Sequence, residues 1–199
     1  ADESTPTCTK RFDNLGIEST EFTRNQYRDM LFTTPGMEEF ISGVILFDET
    51  LRQSTISDNV LFPEYLQSKG VIPGIKVDCG AKNFAFHPGE KITEGLDGLR
   101  ERLVEYYALG ARFAKWRAVI TIGKDIPSEA CISANSHALG RYAALCQEAG
   151  LVPIVEPEVL MDGEHDIDNC YDVSKKTFEQ VFHELACQRI FLEGIVLKP

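Results

Sequence analysis

Three spacings in this sequence put charged side chains where chemistry is done. Lys115 and Arg117 stand two residues apart in the apolar run Ala111–Ile120, and Glu156 and Glu158 two apart in Leu151–Val159. Lys198 ends the run Gly194-Ile195-Val196-Leu197, one residue before Pro199. In a strand, positions i and i+2 face the same side, so each pair presents like charges on one face. If that face is an interior, two cations and two carboxylates enter one confined volume with Lys198 beside them. Buried unpaired charges are costly, so such a group either neutralises itself as structural ion pairs or does chemistry. Several strands delivering charge to one end favour chemistry. Asp48-Glu49 and Lys76 with Asp78 also follow apolar runs, and Asp2 fits the same place after a strand preceding the chain.

The elements that must hold these residues are read from periodicity. Apolar, β-branched runs lie at Ile41–Phe47, Val71–Val77, Ala111–Ile120, Leu151–Val159 and Arg189–Leu197. Between them the spacing is helical. Leu96, Leu99, Leu103 and Tyr106 form one face of 94–109, and Val173, Phe178, Val181, Phe182 and Leu185 form one face of 171–188. For 128–149, Ser128 suits the N-cap and Gly150 the position past the end. Gly70 and Gly110 each separate a helical pattern from the next strand. Strands alternating with helices about every forty residues predict parallel βα units. An open doubly wound sheet and a (β/α)8 barrel both meet that pattern. No G-x-G-x-x-G or Walker-type loop follows the early strands, which disfavours nucleotide and dinucleotide readings. Charge gathered at the strands' carboxyl ends favours the barrel, whose active sites are assembled on that face. The fold class expected is therefore α/β, an incomplete TIM (β/α)8 barrel, with residues 1–199 as a single partial domain.

Composition narrows the partners. A 199-residue chain with 43% hydrophobic residues can bury a substantial core. Its net charge of −11 argues against nucleic acid or an anionic membrane surface, which require a basic patch. No run of about eighteen apolar residues is present, so no membrane span is expected. The six cysteines, at 8, 79, 131, 146, 170 and 187, contain no C-x-x-C pair. Neither a zinc site nor a disulfide framework is expected, and the thiols fit a reducing cytoplasm. The chain opens on Ala1-Asp2-Glu3-Ser4-Thr5, with neither methionine nor a secretory signal. Together with its abrupt end, this predicts a piece of a longer polypeptide.

Seven motifs follow one another along the chain: ADEST at 1–5, GVILFDET at 43–50, GIKVD at 74–78, EGLDGL at 94–99, FAKWR at 113–117, VPIVEPE at 152–158 and LEG-x-x-LKP at 192–199. In order and spacing they resemble the class I, Schiff-base-forming fructose-1,6-bisphosphate aldolases. The resemblance implies reversible aldol cleavage of fructose 1,6-bisphosphate to dihydroxyacetone phosphate and glyceraldehyde 3-phosphate. The reaction would run through a lysine Schiff base, with no metal and no other cofactor, in a cytoplasmic homo-oligomer, commonly a tetramer. It implies truncation at both ends: about six of eight strand positions are present, the first as a stub. The final strands, a second phosphate-binding loop and the C-terminal tail would lie past Pro199.

The resemblance makes Lys198 the Schiff-base lysine. An amine is a nucleophile only when neutral, and desolvation and neighbouring cations favour that state; Lys115 would supply such a charge. Glu156 would be the general acid/base that dehydrates the carbinolamine, and Glu158 would hold the lysine and glutamate in register. Asp2 would sit against the hydroxyl whose deprotonation starts carbon–carbon cleavage. Ser4, Thr7 and Lys76 would bind the 6-phosphate end, and Arg117 the substrate or its phosphate, with Lys10 and Arg11 as further contributors. Bland alternatives stand beside these roles: a surface lysine for Lys198, a helix N-cap for Asp2, and an ion pair with Asp78 for Lys76.

The sequence departs from the family at Pro6-Thr7-Cys8, where a Gly-Ser pair is common in the animal enzymes. Pro6 removes an amide donor and stiffens the segment. Cys79 replaces a frequent lysine. Asp162-Gly163-Glu164-His165-Asp166 looks like a metal loop, but His87, His137, His165 and His183 form no H-x-H or H-x-x-x-H pair, so a solvated acidic loop is expected. Trp116 should point away from Lys115 and Arg117 and pack outward against a helix. Tyr106-Tyr107 belongs to a helical face. Two other functions stand beside it: a lysine-dependent barrel aldolase for another phosphorylated sugar, which the part past Pro199 would discriminate, and a non-catalytic or incomplete aldolase-like chain that keeps the site residues and acts as a scaffold.

Overall fold

The structure, a computed structural model, describes residues 1–199. Helices α1 (Thr5–Asp13) and α2 (Glu21–Phe32) open the chain, followed by β1 (Gly43–Leu46), α3 (Asp48–Leu51), α4 (Phe62–Ser68) and β2 (Ile72–Lys76). A hairpin of β3 (Ala81–Asn83) and β4 (Lys91–Thr93) precedes α5 (Leu99–Ala108), β5 (Phe113–Ile120) and α6 (Glu129–Glu148). Then come β6 (Val152–Val159), α7 (Ile167–Cys187) and β7 (Val196–Leu197). By internal packing the chain divides into two compact units: Ala1–Lys76 with Glu105–Ala114, and Val77–Val104 with Lys115–Pro199. No helix is long and apolar enough to cross a membrane.

In the first unit β1 pairs in parallel with β2, Gly43 opposite Ile72 and Leu46 opposite Ile75. On the other side of β2, the Arg112 amide donates to the Pro73 carbonyl at 2.9 Å. A side chain at Gly74 would collide with the Phe113 ring, so only glycine lets these strands approach. Leu46, Leu51, Phe62, Leu66 and Ile75 are fully buried, and Phe62 meets Phe32 edge-on at 5.0 Å. Tyr106 is buried with its hydroxyl donating to Asp48 Oδ1 at 2.9 Å. At the chain's start, Ser4 occupies the N-cap position of α1 and Pro6 lies in its first turn. The first amides of a helix have no intrahelical acceptor, so a proline there gives up little and presets φ. The stiffened loop expected at Pro6 is a helix start.

A buried ion cluster ties α2 to α3. Arg24 donates to Glu49 from Nε at 2.9 Å and from Nη2 at 2.7 Å, and Arg28, with 1% of its side chain exposed, also bonds Glu49. Burial pushes the Glu49 carboxyl up, but the hydrogen bonds and charges of Arg24 and Arg28 outweigh it, and the group ends below its ordinary value. A carboxyl lowered in the folded state contributes stability above its unfolded pKa, and that contribution fades as pH falls through the folded value. Glu49→Gln leaves Arg28 buried without its counter-charge. We expect a loss of roughly 3–5 kcal/mol in urea unfolding followed by circular dichroism. The variant should also lose part of the wild type's decline in stability below about pH 4. An unchanged midpoint would contradict this account of the cluster.

In the second unit β6 lies between β5 and β7. β6 and β7 are parallel, Ile154 opposite Val196 and Val155 opposite Leu197. Trp116 is fully buried against Tyr142 of α6, ring centroids 5.5 Å apart, the outward packing that alternation predicts. Ser128 caps α6, its hydroxyl accepting from the Cys131 amide at 3.1 Å, and Gly150 follows with φ +77°. Asp166 of the acidic loop caps α7, accepting from the Asn169 amide at 2.9 Å.

One strand is far shorter than its sequence predicts. Of Arg189–Leu197 only Val196–Leu197 is strand, Leu192–Gly194 forms a 3-10 turn, and Arg189 has φ +57°. The Gln147 side chain takes the backbone instead: its Nε2 donates to the Phe191 carbonyl at 2.8 Å, and its Oε1 accepts from the Phe191 amide at 3.1 Å. Groups satisfied by a side chain are not open to a neighbouring strand.

Candidate active site

The second unit brings five of the nine predicted site residues together. β5 carries Lys115 and Arg117, β6 carries Glu156 and Glu158, and Lys198 follows β7. The Lys198 amide donates to the Val155 carbonyl at 2.9 Å, extending the β6–β7 register by one residue. That bond sets Lys198 beside the residue after Val155, which is Glu156. Lys198 Nζ donates to Glu156 Oε1. The other carboxylate oxygen lies 3.5 Å from Lys115 Nζ, close enough for an ion pair. Glu156 thus stands between two ammonium groups with 2% of its side chain exposed. Two residues on, Arg117 Nε donates to Glu158.

Burial and charge set the character of this group. Lys115 is buried, with 11% of its side chain exposed. Hydrogen bonding from Arg117 pulls the Glu158 carboxyl below its ordinary value against burial, and Lys198 and Lys115 add to the pull. The same bond raises the Arg117 guanidinium, so the pair stays ionised across the neutral range. Lys198 lies one residue from the end of the described span, and within residues 1–199 its side chain is 55% exposed. β7 is two residues long, and Val196 and Leu197 are themselves 49% and 36% exposed. Chemically, the arrangement offers an accessible amine hydrogen-bonded to a buried carboxylate, with a second cation on that carboxylate's far side. A carboxylate so placed can pass a proton to or from a group formed on the lysine nitrogen.

The other four predicted residues belong to the first unit. Asp2 is half-buried three residues before α1, and it is Ser4, not Asp2, that holds the N-cap position. Ser4 Oγ and Thr7 Oγ1 are 3.1 Å apart. Lys76, half-buried, ends β2. Of the further contributors, Arg11 pairs with Glu3 at 2.6 Å and Lys10 is exposed on α1.

Sequence reasoning missed Thr93, whose hydroxyl binds the Arg117 carbonyl, and Asn135, which binds the Thr93 amide. Thr93 sits on a three-residue strand, too short for a period-2 signal. Asn135 is a buried polar residue inside a helical pattern, and it breaks that pattern without revealing its partner. No group of three or more His, Cys, Asp or Glu side chains is placed to hold a metal, and all six cysteines are free.

A family model described as fructose-bisphosphate aldolase class-I matches residues 1–199. A probable fructose-bisphosphate aldolase class 1 of Xanthomonas campestris pv. campestris is 62% identical over 197 residues, 99% of this chain and 59% of the relative. The cytosolic fructose-bisphosphate aldolase 4 of Arabidopsis thaliana is 51% identical over 199 residues, all of this chain and 50% of the relative. The chain thus spans 50–59% of the length of these curated relatives. Among solved structures, a Plasmodium falciparum fructose-bisphosphate aldolase, crystallised with TRAP and a small-molecule inhibitor, is similar with a TM-score of 0.96 at 50% identity. That match covers 100% of this chain and 58% of the other. Its fold, the (β/α)8 barrel, is the α/β fold expected from the strand–helix alternation.

Proposed function

The chain belongs to the class I fructose-bisphosphate aldolases, and on that premise we propose that the complete protein cleaves fructose 1,6-bisphosphate reversibly to dihydroxyacetone phosphate and glyceraldehyde 3-phosphate. The observation that carries the reading is the triad of Lys198, Glu156 and Lys115, an amine bonded to a buried carboxylate that faces a second cation. Glu156 takes a proton from the Lys198 ammonium, and the neutral Nζ adds to the substrate ketone. Glu156 then gives that proton to the carbinolamine oxygen, which leaves as water, giving an iminium. Asp2 accepts the proton of the hydroxyl on the carbon beyond the scissile bond. That bond's electrons then flow into the iminium, forming an enamine, and the aldehyde half departs. Protonation of the enamine and hydrolysis return the free lysine. Lys115 keeps the Glu156 carboxylate oriented by charge, and Glu158 does the same for Arg117. Ser4, Thr7 and Lys76 take the 6-phosphate end, and Arg117 exchanges its Glu158 partner for the substrate.

The same reading assigns a homotetramer and a cytoplasmic location; plant relatives at 51% identity are named cytosolic. Because the iminium is the electron sink, no metal is needed to stabilise the carbanion. Cleavage by the complete protein, followed by coupling the triose phosphates to NADH oxidation, should be unchanged after incubation with EDTA. Activity lost to the chelator and restored by zinc would overturn the Schiff-base assignment.

A further inference from the structure

Arg117 is held from behind by a buried polar relay that the aldolase chemistry described above does not use. The Thr93 hydroxyl, at the end of β4, donates to the Arg117 carbonyl at 2.8 Å. On the other side of the residue, the Arg117 amide donates to Asp78 Oδ2 at 3.4 Å, while Asp78 Oδ1 accepts from the Gly80 amide at 3.0 Å. Thr93 is fixed in turn by α6: its amide donates to Asn135 Oδ1 at 3.1 Å. The Asn135 amide group donates to the carbonyls of Lys91 at 2.9 Å and Cys131 at 3.0 Å. Thr93, Asn135 and Asp78 are 4%, 2% and 8% exposed. This run of bonds leads from α6 through the short hairpin to the one residue of β5 that pairs with Glu158.

We propose that Thr93 and Asn135 are positioning residues for Arg117, fixing the peptide on which its guanidinium is mounted so that it meets the anionic end of the substrate. The physical reason is geometric. Arg117 projects a long, flexible side chain, 42% exposed, so the direction it leaves the strand depends on how firmly its own peptide is held. A small rotation of that peptide is magnified over the length of the side chain. A hydroxyl donor and a side-chain acceptor, one on each side of Arg117, hold it against such rotation. Asn135 matters because it keeps β4, otherwise a three-residue strand paired only in a two-stranded hairpin, in place against α6.

This inference rests on the reading that Arg117 binds substrate, so Arg117→Ala is measured alongside. In the complete protein, Thr93→Val removes the hydroxyl at similar volume. It should raise KM for fructose 1,6-bisphosphate roughly five- to tenfold, the effect of one lost hydrogen bond, with kcat within about twofold. Thr93→Ser, which retains the donor, should restore the wild-type KM. If the buried valine prevents folding, Thr93→Ala makes the same removal with less bulk. If Arg117→Ala raises KM while Thr93→Val and Thr93→Ala leave it unchanged, the positioning role is overturned and the Arg117 reading stands. If Arg117→Ala itself leaves KM unchanged, both fall. Lowered kcat at constant KM in every Thr93 variant, serine included, marks a purely structural residue and also overturns the proposal.

Discussion

Lys198→Met in the complete protein should abolish cleavage of fructose 1,6-bisphosphate, a loss on the order of 10⁵-fold or more, the scale seen when a covalent nucleophile is deleted. Methionine reproduces much of the lysine stem but has no amine, so neither carbinolamine nor iminium can form. The fold should survive the change. The backbone bond from Lys198 to Val155 does not depend on the side chain. Glu156 loses one cation but keeps Lys115 at 3.5 Å. Lys115 cannot substitute as nucleophile, because it is buried within β5 on the far side of the carboxylate. The variant should therefore bind substrate, unfold near the wild-type midpoint and turn nothing over. Near-normal activity would remove Lys198 from the mechanism.

Glu156→Gln should cost kcat roughly 10²–10⁴-fold, the range for removing a positioned general acid/base, with a smaller change in KM. Glutamine has the same shape and can still accept from Lys198, but it carries no transferable proton. It also leaves Lys115 and Lys198 without the anion they share in a site where Glu156 is 2% exposed. The defect should be greatest in the formation and breakdown of the carbinolamine, and rapid-quench measurement of those steps should show it. A kcat within about twofold of wild type would assign the proton transfer to another group. Glu158 would be the first to consider, though Arg117 holds it ionised below the ordinary carboxylate range.

How much of this was readable without coordinates depends on the range of the interaction. The pairs Lys115/Arg117 and Glu156/Glu158 were visible because strand alternation is local, and the two-residue spacing of each survives in β5 and β6. Trp116 was placed on the opposite face for the same reason. Ser128 and Gly150 marked the ends of α6 because capping preferences are also local. The strand at 189–197 was over-read because its apolar content says nothing about Gln147, more than forty positions away, which takes up the Phe191 backbone. The opening helices show no readable period, beyond the N-cap alternative at Asp2, for a different reason. α1 buries only Cys8 and Phe12, too few apolar positions to set a period. α2 spends its buried face on Arg24, Arg28 and Phe32, two of them cations whose burial depends on Glu49. Thr93 and Asn135 could not have been found, since their importance lies entirely in which backbone they reach.

In a Schiff-base aldolase one nitrogen becomes covalently joined to substrate, and here it should be Lys198 Nζ. The complete protein should be incubated with dihydroxyacetone phosphate and sodium borohydride, which reduces an iminium to a stable secondary amine, and then digested and mapped by peptide mass spectrometry. A single adduct on Lys198, absent from Lys198→Met, is the result expected. An adduct on Lys115 or Lys76, or no adduct while cleavage proceeds, would contradict the mechanism.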